Sequence, residues 1–344
     1  MLGSPVSAIQ GYREKYTNVL RHYSQQATDS LKYKAALFII DNMEGHCSPE
    51  GIAMDNYIAH IQTMKKAKGI RELQATWQAS LKDGDVDIVP DSAVVSDDFL
   101  INDIDNAFST WQQSQWKDSV SFSLFCRYIL PYRINDEHFG GNWREPLRKQ
   151  YGAVIEGVAD IRKAFTLVRD TVFKVIALSN SYCKYNLDPL TCNIVGRAEC
   201  SQRCILLVAV MRALGIPAAI DGTPMWADYS NKGHAWAAMI MGNGDTYTVF
   251  EKAKEAKRLN PVDASQFMPR YKTWKNDGFP YDIKASKTPV KIYRMCYDRC
   301  NEVGEYDVMW LKSSFIKDVS AEYGLTSNVA IKADSASAVY LCAY

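Results

Sequence analysis

Cys200 stands where a polar loop meets a long apolar run, in Gly196-Arg-Ala-Glu-Cys-Ser-Gln-Arg-Cys204. A thiol in the first turn of a helix meets the positive end of the helix dipole and backbone N–H groups that have no partner inside the helix. Both favour the thiolate, and the same N–H groups can receive the oxyanion of a tetrahedral intermediate. Cys204, one turn further on, lies inside the apolar run and reads as an inert packing thiol. A thiolate nucleophile needs a base, and the chain has five histidines. His22, His46 and His60 fall in a helical front region, and His138 follows Asp136-Glu137. His234 opens a strand in Gly233-His-Ala-Trp236. The chemistry such a pair performs is acyl transfer through a covalent thioester.

The elements that must hold these residues follow from the pattern around them. Cys204 to Leu214 is apolar nearly all round except for Arg212, as expected of a helix buried inside a domain, and Gly215 and Pro217 stop it. Ala218 to Asp221 reads as a short strand. His234 to Met241 and Thr246 to Glu251 flank Gly242-Asn243-Gly244-Asp245, a hairpin signal. A two-residue turn at Asn243-Gly244 pairs Trp236 with Glu251, so that His234, Trp236 and Glu251 share one face. His234 and Glu251 are then about 7–8 Å apart between backbones, within reach of a long carboxylate side chain. This yields a Cys200–His234–Glu251 relay in which Glu251 orients the imidazole. A three-residue turn would break that parity.

Cys200, then Arg212-Ala-Leu-Gly-Ile-Pro-Ala218, then an aspartate, then His234-Ala-Trp236 resembles the transglutaminase-like superfamily over roughly residues 190–252. The resemblance implies a papain-like α+β core in which Cys200 matches the nucleophile and His234 the base. The family's third residue is usually an aspartate, as in Phe-Asp-Pro, where this chain has Phe250-Glu251-Lys252. Two flanking segments, Tyr33 to Met43 and Ile129-Leu-Pro-Tyr-Arg133 with Trp143-Arg144, are similar to parts of secreted bacterial members with a helical front domain and a β-sandwich behind. That similarity implies that Arg133, Glu137 and Trp143 line the cleft as anion clamp, acceptor and aromatic wall. Their plainer reading is a buried ion pair and a core aromatic.

The expected fold class is therefore α+β: a papain/transglutaminase-like cysteine-protease core with a helical N-terminal region and a C-terminal β-sandwich-like domain. The boundaries read as 1–115 for the helical region, 116–286 for the core and 287–344 for the β-domain. Tyr12, Tyr16, Val19, Leu20 and Tyr23 repeat at helical spacing, as do Leu31, Ala35, Phe38 and Ile39. Lys82 to Asp98 carries aspartates at 83, 85, 87, 91, 97 and 98. Ile88 and Val94 stand where a calcium loop requires glycine and glutamate, so the stretch reads as a solvated linker. Val158, Ile161, Phe165, Val168, Val172 and Ile176 form one apolar helical stripe. Beyond Lys287 short strands recur, at Val290-Tyr293, Val308-Leu311 and Val329-Ile331. The last six residues read as a strand with no following turn, as if the native protein continues.

Lys plus Arg number 40 and Asp plus Glu 39, a balance without the basic footprint of a nucleic-acid or membrane-surface binder. No apolar run approaches a membrane span. The nine cysteines are odd in number and too sparse for a disulfide framework, so at least one thiol is free or pairs outside the chain. Cys200/Cys204 and Cys296/Cys300 are both C-x3-C pairs, but they lie far apart and zinc ribbons favour C-x2-C, so neither a metal nor a cofactor is expected. The start lacks a signal-peptide pattern, which fits a cytosolic chain or a mature one whose leader has gone. The resemblance implies the latter: a secreted, periplasmic or cell-surface protein. The expected function is acyl transfer from amides, chiefly hydrolysis, on a peptide, protein or glycopeptide. The competing expectation is a catalytically silent scaffold that binds a peptide or glycan. Oligomeric state is not legible in the sequence.

Overall fold

A computed structural model of the chain describes residues 5–63, 69–225, 233–249, 291–300 and 314–325, with strand pieces Lys272–Trp274 and Ile283–Ala285 and residue 289. It is a mixed helix-and-sheet fold. The front is helical as expected, with Pro5–Lys15, Thr17–Ser24, Ser30–Asp41, Ile52–Thr63, Ile70–Ser80 and Asp97–Gln113. Ser96 caps the last of these by accepting from the Phe99 N–H, and Asp97 and Asp98 lie in its first turn, where the helix dipole favours acids. Tyr16, Val19, Ile39, Leu100, Ile104 and Trp111 form one core with Phe125 from the following helix Phe122–Tyr128.

The acidic stretch is solvated at Asp83, Asp85, Asp87 and Asp98 as expected, but it is built into the fold and is not a linker. Asp87–Pro90 pairs antiparallel with Cys47–Glu50, and Asp91–Val94 makes a helical turn. Asp91 is fully buried, because Arg133 meets its carboxylate with two bonds of 2.5 Å. That partner lies 42 residues along the chain, so local composition could not reveal it.

The apolar run forms the central helix Cys200–Ala213, in which every residue from Gln202 onward is buried. It packs among Arg144–Tyr151, Ile161–Val175 and Pro189–Val195 on one side and a sheet on the other. The stripe read from the sequence supplies Phe165, Val168 and Val172 to the same core. Gly215, at φ +77°, turns the chain out of the helix. Buried Arg212 ties the helix end down by donating to the carbonyls of Ala218, Pro131 and Arg133.

The sheet has five strands in the order Ile316–Asp318, Tyr293–Met295, Ala218–Thr223, His234–Ile240 and Thr246–Tyr247. All neighbours are antiparallel, which makes the fold α+β. Ala237 and Met239 join the core of the central helix, whereas Trp236 packs on the other face against Ile292, Val319 and Tyr323. Two expectations change here. The β-domain placed from 287 onward does not stand apart within the described residues: its strands at 293–295 and 316–318 extend the sheet of the core. The hairpin turn has three residues, 242–244, so Met239 pairs with Tyr247 where a two-residue turn would give Thr248. Gly242 lets the turn lie close to another segment, since a Cβ there would collide with the Ser119 carbonyl oxygen. The expected strands at Val308-Leu311 and Val329-Ile331, the last six residues and Glu251 lie outside the described residues.

Candidate active site

Cys200 is placed by the helix that precedes it. Asp188 caps Pro189–Val195 by accepting from the N–H groups of Leu190 and Thr191, and Gly196, in the left-handed region at φ +66°, ends it. The two residues Arg197–Ala198 pair in parallel with Ala177–Leu178, Glu199 takes the cap position, and Cys200 opens the central helix. Its thiol is half-buried, and the next turn of the helix is closed to solvent. Burial pushes the neighbouring Glu199 carboxyl above the usual carboxylate range.

His234 is brought to the central helix by the sheet. The Ala218–Thr223 strand follows the Gly215 turn and packs on that helix, as does the His234–Ile240 strand. Thr223 pairs with His234 at the first residue of the latter. A small cavity of about 10 Å³, room for one water, is lined by residues 234–237 of the strand, by Arg169, Phe173 and Val249, and by Cys204 and Leu207 from the helix. Cys204 is thus the cysteine that shares this cavity, and Cys200 sits one turn earlier, outside its lining.

The face of the strand matters as much as its end. The His234 and Trp236 rings lie 6.1 Å apart at 36°, as neighbours on one face do, and Trp236 belongs to the face turned away from the central helix. Trp236 Nε1 donates to the Tyr323 hydroxyl at 3.0 Å, and Tyr323 donates to Asp221 at 2.6 Å. Asp221 is fully buried and holds Arg294 through two bonds of 2.8 Å; Arg294 also reaches Thr246 and Glu322. Trp236 is therefore a buried support of a charged network, and its indole N–H is spent inside the fold. The aspartate that follows the Gly-Ile-Pro turn in sequence is the centre of that network. Nothing in the local sequence marks Arg294 as its partner.

The parity that put Glu251 beside His234 rested on a two-residue turn, and the observed three-residue turn removes that basis. Arg133, Glu137 and Trp143 do meet, at another small cleft of about 10 Å³ that His234 does not line. Their polar atoms are engaged within the protein, not presented to a ligand. Arg133 is bonded to Asp91 and to the Glu137 carbonyl. The Glu137 carboxylate accepts from the Ile134 and Asn135 N–H groups at 2.8 Å, and burial pushes its carboxyl up against the opposing effect of Arg133. Trp143 Nε1 donates to the Tyr132 carbonyl at 3.0 Å. Arg133 is in a buried ion pair with Asp91, not with Glu137, whose carboxylate is held by backbone N–H groups, and Trp143 is a core aromatic.

A roomier cavity of about 200 Å³ lies between the helical front and the sheet, lined by His46, Cys47, Arg133, Cys296, Tyr297 and Phe315 among others. His46 is sandwiched there by Tyr297 and Phe315, at ring separations of 4.4 and 4.1 Å. Burial pushes its pKa down to about 4, so it is neutral at physiological pH. The sequence placed His46 in the helical front without a role, because its stacking partners come from the far end of the chain. No protein-family model, curated protein or solved structure matches this chain.

Proposed function

We propose that this protein is a transglutaminase-like thiol acyltransferase acting on amides, with hydrolysis as the main outcome. Cys200 attacks the amide carbonyl. His234 takes the thiol proton and returns it to the leaving amine, and water then releases the acyl group from Cys200. The backbone N–H groups of the first helical turn receive the oxyanion. Peptides, proteins or glycopeptides are the substrate class, and an extracytoplasmic location goes with the same resemblance. The observation that carries the reading is the half-buried Cys200 opening a helix buried from Gln202 onward, with His234 lining a cavity one turn along that helix at Cys204. His234 opens its strand with the parity of Trp236, whose ring packs on the far face, so its imidazole reaches Cys200 only past the open end of the strand.

The same parity favours a second reading, a catalytically silent scaffold that binds a peptide or glycan. Iodoacetamide alkylation followed residue by residue at neutral pH separates the two. For the enzyme, Cys200 reacts at least about tenfold faster than in His234→Ala, since the base activates it. Equal Cys200 rates in the two proteins would leave the scaffold.

A further inference from the structure

Cys296 and Cys300, the second C-x3-C pair, take no part in the proposed acyl transfer. The N–H of Cys296 donates to the Phe315 carbonyl and that of Cys300 to the Ser314 carbonyl, both at 2.7 Å. Two adjacent carbonyls thus draw the two ends of a five-residue loop to one place. The middle of the loop is pinned elsewhere: the Tyr297 hydroxyl donates to the Ile39 carbonyl at 3.0 Å, and Arg299 pairs with Glu44 at 2.7 Å. With ends and middle held, both sulfurs and an Asp298 carboxylate oxygen lie within 4.8 Å of one another.

The surroundings favour exchange chemistry over cation capture. Arg127 Nε already neutralises the Asp298 carboxylate at 3.0 Å. Cys300 is half-buried and Cys296 buried, so one sulfur is open to attack a reagent while its partner is shielded. The adjacent Cys296 thiol holds Cys300 below the usual thiol range, with the charges of Arg127 and Lys317 acting in the same sense and burial and Asp298 opposing. Each thiol donates to backbone, Cys296 to the Arg294 carbonyl at 3.7 Å and Cys300 to the Asp298 carbonyl at 3.1 Å. Cys296 is correspondingly pushed up.

We propose that Cys296 and Cys300 form a thiol–disulfide exchange pair, with Cys300 the attacking sulfur, Cys296 the resolving sulfur, and a low-molecular-weight disulfide the oxidant. The Cys300 thiolate attacks one sulfur of the oxidant, breaking its S–S bond and expelling one thiolate. Cys296, losing its proton to that thiolate, attacks the Cys300 sulfur and expels the second. Overall two protein thiols are oxidised to one disulfide and one small disulfide is reduced to two thiols. The bond so formed closes the loop that carries Tyr297 into the helical front, so the redox state of the pair sets how tightly sheet and helices are joined.

The test equilibrates the full chain in glutathione buffers from mostly reduced to mostly oxidised, quenches with acid, alkylates the free thiols and maps tryptic peptides. Trypsin cuts after Arg299, so the disulfide appears as two joined peptides, rising with the oxidised fraction and reversed by dithiothreitol. Cys296→Ser should halt at a stable glutathione adduct on Cys300, and Cys300→Ser should leave Cys296 as a thiol. Both thiols remaining alkylatable at every ratio would overturn the proposal. So would a disulfide from Cys300 to another cysteine, or glutathione accumulating on Cys296 in Cys300→Ser as fast as on Cys300 in Cys296→Ser. The wild-type map decides the matter even where a variant fails to fold.

Discussion

At Asp91 and Arg133 two opposite charges sit almost without solvent, joined by a pair of short bonds, with the Tyr132 hydroxyl donating to the same carboxylate at 2.8 Å. Removing one partner strands the other, so Asp91→Asn should cost about 3–5 kcal/mol in urea unfolding. His138 makes a different prediction. Its Nε2 lies 3.3 Å from Glu50 and its Nδ1 3.8 Å from Asp188, an ion-pair distance without a hydrogen bond. Although burial opposes the charge, these carboxylates raise the His138 pKa to about 9. A raised folded pKa means that this stabilisation is complete below the unfolded value of about 6.5 and is lost as pH climbs through about 9. Glu50 and Asp188, held below the carboxylate range, contribute above their ordinary values and lose that contribution in acid. The urea midpoint should therefore fall between neutral pH and about pH 10, and His138→Gln should flatten that fall.

Among the elements, the His234 strand and the central helix decide whether the site can form. Gly233 leads into the strand at a close approach: a Cβ there would meet the Thr223 carbonyl oxygen at 2.7 Å and that of Pro224 at 2.9 Å. Gly233→Ala must push the strands apart, so the His234-dependent alkylation of Cys200 should drop toward the His234→Ala rate. In the helix, Leu207 is buried and lines the His234 cavity. Leu207→Ala should lower stability by about 2–5 kcal/mol, measured by chemical denaturation. The helix itself was legible in the sequence, because a run from Cys204 that is apolar except for Arg212 and ends at a Gly-Ile-Pro stop admits few other structures. The glycine was legible as part of a motif. Its physical role was not, since the carbonyls it must clear lie at and just beyond the end of the preceding strand.

For the molecule as a whole, Asp221 and Arg294 join the C-terminal strands to the sheet of the central helix, while Tyr297 joins the same segment to the helical front. Arg294→Met leaves Asp221 buried without its counter-charge and should cost about 3–5 kcal/mol in unfolding experiments. An added Asp221→Leu should recover part of that loss, because an apolar pair carries no desolvation cost. These links account for what could and could not be read from the chain. The sequence by itself determined the buried helix, its Cys200 start, the His234 strand and the helical front, since each depends on apolar spacing and stop residues within a few turns. Only the tertiary structure decided the rest. It made the hairpin turn three residues long, buried Asp91 against Arg133, claimed Trp236 for the Asp221–Arg294 network and brought Cys296 to Cys300. Those outcomes depend on register and on partners for buried charge, which are chosen by packing between segments far apart in the chain.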